Sequence, residues 1–377
     1  MKIYITVIFF FLGLFTIVSQ SKLDKGDSLF ANGNYTKAIE TYTSLKNLDA
    51  VYSKIAKAYS ALGNYGEALV YYKNAVDANP EDVLAKYDYA KLLGKTKKYI
   101  EAKALFNTLI ITDSLNPNYY YEKGVVLERL KDTTAINDFK KAYELDQTHQ
   151  KAIFKIAKKH IFKRRFKEAH TIIDVGFKSY SDNVDLISLK AQAYYFQEYY
   201  DIAVVWFKKL LDLGEKSEFI HEKLSLCYAQ NSDYENAIYH RLEALKYNPN
   251  DANAMYVIGL YYRRLSNFEK AEEFISKALL IWDKPLSDEY QRLGIVLNRQ
   301  KKYQEAIKAF QKSLKEDPSN INSEFFILKT KDEYYADIDE KIKLYEDFIK
   351  RRGKSFFRPY AEQRLKALKE EKFRDEN

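Results

Sequence analysis

A chain of 377 residues is long enough for two or three globular domains, or for one elongated array that needs no single large core. Its composition favours the array: 12 Gly, 6 Pro and 30% charged residues, with abundant Ala, Leu, Lys and Glu, describe a strong helix former. The single cysteine excludes an intrachain disulfide and a thiol-held metal cluster, and the formal net charge of +8 raises the question of an acidic partner.

The N-terminus differs from the rest of the chain. Met1-Lys2 precedes an apolar run from Ile3 to Val18, then Ser19-Gln20-Ser21, then polar sequence from Lys22. A positive start, a hydrophobic segment and small residues at its exit predict a secretory signal peptide over residues 1–21, cut after Gln20 or Ser21. The alternative is a retained anchor at residues 3–18, although the run is interrupted by Thr6 and Thr16 and falls short of the roughly 20 residues that span a bilayer. The expected location is therefore periplasmic or secreted, or anchored by the N-terminal segment. No cysteine succeeds the run to take a lipid, and Cys227, in the middle of a predicted helix, reads as a small buried residue.

Past the N-terminal segment one unit repeats. Ala38, Ala68, Ala102, Ala135, Ala169, Ala203, Ala237, Ala271 and Ala306 recur at spacings of 30, 34, 33, 34, 34, 34, 34 and 35. Three residues before each stands an aromatic, with Asp132 the exception; four after stands a bulky apolar residue, with Arg241 the exception. About twelve before lie Gly26, Ala56, Ala90, Gly124, Ala157, Ala191, Ser225, Gly259 and Gly294, all small. The pattern predicts two antiparallel helices, A then B, crossing so closely that the contact admits little more than a methyl group. Pro80, Pro117, Pro249, Pro285 and Pro318 fall at the junctions between units, where a helix must stop. Beyond Pro318 the rhythm ends, and residues 320–330, 338–352 and 359–373 read as three more helices, with Gly353 ending the second.

These units resemble tetratricopeptide repeats, most closely at Ala61 to Pro80 (ALGNYGEALVYYKNAVDANP), and the resemblance covers about residues 19–318. It implies an all-α fold: a right-handed α-solenoid of nine helix-turn-helix repeats over residues 22–318, closed by a C-terminal helical cap over 319–377. In that family helix A lines a concave groove. Mapped residue by residue, the partner-binding face comprises Tyr87, Lys91, Tyr121, Arg129, Lys151, Phe154, Lys155, Lys158, Phe162, Tyr195, Phe196, Tyr256 and Arg263, with Ile161 exposed among them and Lys155 on the rim. The two-carboxylate clamp by which some members hold chaperone C-termini does not carry over. Its places hold Tyr87, Lys91, Glu122, Lys151 and Lys155, and Glu122 would repel a carboxylate.

Charge concentrates in helix A of the fifth repeat, where Lys151, Lys155, Lys158, Lys159, Lys163, Arg164, Arg165 and Lys167 face only Glu168. Basic and aromatic side chains together suit an acidic or C-terminal peptide, since rigid aromatics supply contact area and lysines steer charge. The alternative for these lysines is a solvated surface. No catalytic motif appears: the five histidines show neither HExxH nor HxH spacing, His160 reads as a packed core residue, and Gly353-Lys354-Ser355 lacks the earlier glycine of a phosphate loop. The expectation is a non-enzymatic scaffold without cofactor or metal. It would bind a protein or peptide partner, not nucleic acid, and would serve bacterial envelope assembly or trafficking. The competing expectation is a membrane-anchored adaptor, or a surface polyanion binder using the basic face of repeat five. The departures from the pattern, Asp132 and Arg241 among them, are expected to carry specificity.

Overall fold

In the computed structural model each small-residue/alanine pair of the sequence belongs to a helical hairpin; the structure describes residues 22–282, 286–335 and 337–375. The signal segment at residues 1–21 and the junction role of Pro285 lie outside these residues. The helices, in chain order, begin with residues 22–31 (α1), Tyr35–Thr43 (α2), Tyr52–Ala61 (α3), Tyr65–Ala78 (α4), Val83–Lys95 (α5), Tyr99–Thr112 (α6) and Pro117–Arg129 (α7). Next come Ala135–Leu145 (α8), Gln150–Phe162 (α9), Phe166–Ser179 (α10), Val184–Phe196 (α11), Tyr200–Asp212 (α12), Glu218–Gln230 (α13) and Tyr234–Leu245 (α14). The chain closes with Ala252–Arg264 (α15), Phe268–Ile281 (α16), Ser287–Arg299 (α17), Tyr303–Glu316 (α18), Ile321–Tyr334 (α19), Ile338–Arg351 (α20) and Arg358–Asp375 (α21). No strand occurs among the described residues. The odd-numbered helices from α1 to α17 are the A helices and the even-numbered ones from α2 to α18 the B helices, so the fold is all-α, built of tandem helix-turn-helix units. The chain divides into two compact units, residues 1–189 and 190–377, with the division inside α11.

In both units the hairpins close as the small residues require. All nine index alanines are buried, and so is every residue four positions after them, Arg241 included. A Cβ added to Gly124 in the first unit would sit 2.7 Å from the ring of Phe139, and one added to Gly294 in the second would sit 2.5 Å from Phe310. At Gly259 backbone adds to the obstacle: beyond Ile275 Cγ1 at 2.7 Å, the carbonyl oxygen of Ala271 and the nitrogen of Ile275 would both lie 3.1 Å away. Where serine replaces the small apolar residue, Ser225 Oγ donates a 2.7 Å hydrogen bond to the carbonyl of Ala237, the index alanine of its own hairpin. Methyl-sized side chains thus let each A helix press onto its B helix, and the bulky residue one turn further along fills the remaining space.

Every A-to-B turn uses one residue in the left-handed region: Gly33 and Gly63, then Lys97, Lys131, Arg164, Glu198, Ser232, Ser266 and Lys301. The next backbone N–H donates to a carbonyl five residues back, as Asp132 does to Leu127 at 2.9 Å, which satisfies an otherwise orphaned carbonyl of helix A. Seven of these positions carry a side chain where glycine is preferred. Lys131→Gly is therefore expected to be neutral or stabilising by up to about 1 kcal/mol, whereas the β-branched Lys131→Val should cost about 1–2 kcal/mol. Urea denaturation of the two variants checks the sign.

Pro80, Pro249 and Pro318 lie in connections; Pro117 is the first residue of α7 and Pro359 the second of α21, both places where the missing N–H costs nothing. After α18 the chain changes character. Phe326 of α19 still stacks on Phe310 at 5.4 Å, but α19, α20 and α21 enclose a core of their own from Phe325, Leu328, Tyr345, Phe348, Ala361 and Leu368. Inside it Tyr345 donates to Asp332 at 2.9 Å, and Arg364 Nε donates to the same carboxylate at 2.8 Å. Among the described residues no helix is long and apolar enough to cross a membrane.

Candidate functional site

In the first unit the A helices interact side by side through charged residues one hairpin apart. Asp27 of α1 pairs with Lys54 of α3 at 2.7 Å, and Lys57 of α3 with Asp88 of α5 at 3.1 Å. Glu128 of α7 pairs with Lys155 of α9. On the same layer Glu122 of α7 lies near the Tyr87 hydroxyl, Lys91 and Lys151. Burial raises the proton affinity of Glu122, and the two lysines and the tyrosine hydroxyl oppose that rise. Burial first, then the charges of Glu122 and Asp88, push the Tyr87 hydroxyl up to about 12. A cleft of about 410 Å³ opens on this layer, with Lys91, Lys95, Asp88, Glu122 and Arg129 around an apolar floor that includes Val125, Tyr72 and Phe106.

The predicted residues of this unit therefore share a layer but differ in what they are free to do. Tyr87 packs against Tyr119 at 5.7 Å and Phe106 at 6.2 Å, with Lys91 Nζ 5.2 Å from its ring centre. Tyr121 is held by Phe139 and by His149, whose Nδ1 caps α9. Lys155 is half-buried, committed to Glu128, with its ammonium 5.6 Å from the centre of the Phe139 ring, so it fastens α9 to the preceding hairpin. Arg129, Lys151, Lys158 and Phe162 are exposed, and Phe154 is half-buried beneath Lys158. Ile161 corrects the map: it is 8% exposed and belongs to the core, because it sits one position away from the outward-facing Phe162.

In the second unit Tyr195 is half-buried, Phe196 is exposed, and Lys223 Nζ of α13 lies 4.9 Å from the Tyr195 ring centre. Tyr256 packs on Trp282 at 5.1 Å. Arg263 is half-buried, and its Nε is enclosed without a hydrogen-bond acceptor. Burial, followed by the charges of Arg264 and Arg292, lowers its proton affinity from the usual arginine range. The binding face expected from the sequence ends at the eighth repeat. The same register one repeat further on holds Asn298, whose Oδ1 is likewise buried without a partner.

Three expectations about individual residues change. Arg241 is 8% exposed and pairs with the half-exposed Glu222 at 3.2 Å, so the break in the apolar rule is a buried arginine in an ion pair that binds α13 to α14 rather than a recognition element. Asp132 opens α8, accepting from the N–H and hydroxyl of Thr134 at 2.9 and 2.7 Å. His160 is half-buried on a groove beside Lys140, Tyr143 and Ile172 instead of in the core. The buried histidines are His221 and His240, whose Nδ1 atoms lie 3.1 Å apart across α13 and α14. Their separation of 19 residues has no motif signature, but it is what an A–B hairpin brings together. Burial pushes the Cys227 thiol up to about 12, which makes it unreactive at neutral pH. Among the described residues no three His, Cys, Asp or Glu side chains are placed to hold a metal ion.

Models of the tetratricopeptide repeat match residues 59–121, 228–285 and 287–320. A TPR repeat-containing protein of Methanocaldococcus jannaschii is 25% identical over 341 residues, covering 77% of this chain and 56% of that protein. The TPR repeat-containing protein YpiA of Bacillus subtilis is 24% identical over 232 residues, covering 56% of this chain and 52% of its own length. The chain thus spans little more than half of either relative. Among solved structures, the C-terminal part of a TPR repeat-containing protein from Cytophaga hutchinsonii superposes with a TM-score of 0.53 at 16% identity, over 64% of this chain and 99% of that one, a likeness of fold.

Proposed function

We propose that this chain, a tetratricopeptide-repeat protein, is an exported scaffold that binds a protein or peptide segment through the A-helix layer of its hairpins. Arrays of this kind present extended surfaces for protein–protein interaction and are generally non-enzymatic. The observation that carries the reading is the cleft of about 410 Å³ on the A helices of the first unit, where Lys91, Lys95 and Arg129, with Asp88 and Glu122 among them, ring an apolar and aromatic floor. Export is read from the pattern of Met1 to Ser21, and a role in envelope assembly or trafficking rests on that reading.

Charge reversal separates a mixed groove from a simple polyanion site. Lys151→Glu with Lys158→Glu, both exposed, is expected to weaken capture of the native partner about tenfold and to leave a residue of binding that persists in high salt, carried by the aromatics. Complete loss, together with binding that vanishes in wild type as salt rises, would instead indicate the polyanion binder. N-terminal sequencing of the protein from its native host tests export: a chain beginning at Met1 contradicts cleavage.

A further inference from the structure

We propose that the first unit docks on an anionic phospholipid bilayer through the edge formed by its A-to-B turns, with Ile100 entering the headgroup region and the surrounding lysines and arginines meeting phosphates. The inference stands apart from the A-layer reading and leaves that layer open to a partner. The A helices of this unit pair with neighbours about one repeat away in sequence, Asp27 with Lys54, Lys57 with Asp88 and Glu128 with Lys155, so they run side by side in one direction. Their C-terminal ends, and the turns that follow, therefore share one edge. The turns of repeats three, four and five read KTKK at 95–98, RLKDTT at 129–134 and KRR at 163–165, eight cations against one acid in a chain whose formal net charge is only +8. All eight are exposed. Adjacent turns are neighbours in space: Lys95 and Arg129 border one cleft, and Lys131 and Lys159 another. Glu101 and Glu168, which follow the turns, lie in the first turns of α6 and α10, and Glu128 is committed to Lys155.

The fold does not require this charge. The matching turns of repeats six and seven use the same left-handed backbone at Glu198 and Ser232, yet read FQEY at 196–199 and QNSD at 230–233, without a cation. The other edge of the first unit has the opposite sign: its four B-to-A connections at 79–82, 113–116, 146–149 and 180–183 hold five acids and no Lys or Arg. Both edges expose apolar side chains. Ile100 and Leu62 are 67% and 47% exposed on the A-to-B edge, while Ile111 and Leu115 project from the other. An anionic lipid surface attracts each basic residue held against it and repels acids, so charge decides which edge it takes, and the exposed aliphatic side chains there add contact with lipid. Two other occupants fit less well. Aliphatic side chains offer nucleic-acid bases no ring to stack on. The acids that a second copy would present are already engaged: Asp82, Asp113 and Asp146 each accept a backbone N–H from a residue that follows, at 2.9, 3.0 and 2.8 Å.

Vesicle co-sedimentation tests the edge, using the chain from Lys22, which holds every described helix and lacks the apolar run from Ile3 to Val18 whose own affinity for lipid would mask the effect. Vesicles of phosphatidylglycerol and phosphatidylcholine in about a 3:7 ratio are expected to bind wild type, and vesicles of phosphatidylcholine alone are not. Lys98→Gln with Lys163→Gln and Arg165→Gln should weaken binding about a hundredfold. Removing as many exposed charges from the B helices, with Lys73→Gln, Lys140→Gln and Lys178→Gln, should change it less than about threefold. Cys227 is buried, so a cysteine introduced at an exposed position is the thiol that a polarity-sensitive dye reaches. A dye on Ile100→Cys should brighten and shift to the blue on the anionic vesicles, and a dye on Ile111→Cys, at the other end of the same helix, should not change. The proposal is overturned if wild type does not bind the anionic vesicles, if the Lys98, Lys163 and Arg165 variant binds as wild type does, or if the dye at position 111 responds as strongly as the dye at 100. An oligothymidylate that binds wild type more tightly than the vesicles do, or self-association that the same variant abolishes without any vesicle binding, would assign the edge to another occupant and overturn it as well.

Discussion

Phe310→Ala is expected to destabilise its hairpin by about 3–5 kcal/mol, the range for emptying a buried aromatic site. Phe310 has no exposed surface, packs into the space left by Gly294, and stacks on Phe326 with planes 12° apart. It therefore joins three helices, α17, α18 and α19, and the surrounding backbones are too close-packed for the cavity to collapse. In a tandem array the loss need not appear as one global transition, since neighbouring hairpins hold partly independent stability. Hydrogen exchange of the amides in residues 287–316 is the suitable readout. Protection there should drop by the full amount while that of the first unit stays as in wild type. Uniform loss across the chain, or a loss below about 1 kcal/mol, would contradict the packing described for the repeat.

Acid should weaken the second unit through His221 and His240. With their Nδ1 atoms 3.1 Å apart, one ring donates and the other accepts, which requires the accepting ring to be neutral and forbids charging both. Burial lowers the proton affinity of both; at His240 the charge of His221 lowers it further, from 6.5 to about 4. Glu243 opposes the shift at both rings, and Lys246, Lys216 and Lys208 reinforce it at one ring or the other. Between those two pH values the unfolded chain binds more protons than the folded one, so stability is complete above about 6.5 and falls as pH drops toward 4. The expected loss is roughly 2–3 kcal/mol over that window, from about 1.4 kcal/mol per pH unit. Urea titrations at both ends of the window measure it. His240→Leu, which removes the coupled group, should flatten the slope; an unchanged slope would place the acid sensitivity elsewhere.

The hairpins are legible in the sequence because close packing leaves a mark at fixed distances along it. Gly259 must be small since the Ala271 carbonyl, the Ile275 nitrogen and the Ile275 side chain lie where its side chain would go, and the residue a turn after the index alanine must be bulky to fill the gap. Interactions between repeats leave a weaker mark. That Lys155 faces outward is set by helical spacing, but that it pairs with Glu128 depends on how α7 and α9 lie side by side, about which spacing within one helix says nothing. Arg241 reads in sequence as a departure open to recognition, and only the position of Glu222 on the opposite helix makes it one half of an ion pair. The same holds for the turns: Lys131 and Arg164 carry no sign of a left-handed backbone, which is imposed by the geometry of leaving helix A and entering helix B. Site residues on the A layer are assigned from sequence by analogy of position, which finds the layer but misplaces Ile161, one residue out of phase.

The A-helix layer as the docking surface is the central claim, and photo-cross-linking tests it most directly. Phe162 on α9 and Ile111 on α6 are 82% and 85% exposed, so a benzophenone side chain at either place reaches solvent equally well. One lies on an A helix and the other on a B helix of the same unit. With the full chain made in its native host, the probe at position 162 should yield a discrete adduct with a partner protein, and the probe at 111 should yield none. An adduct from position 111 alone would contradict the account.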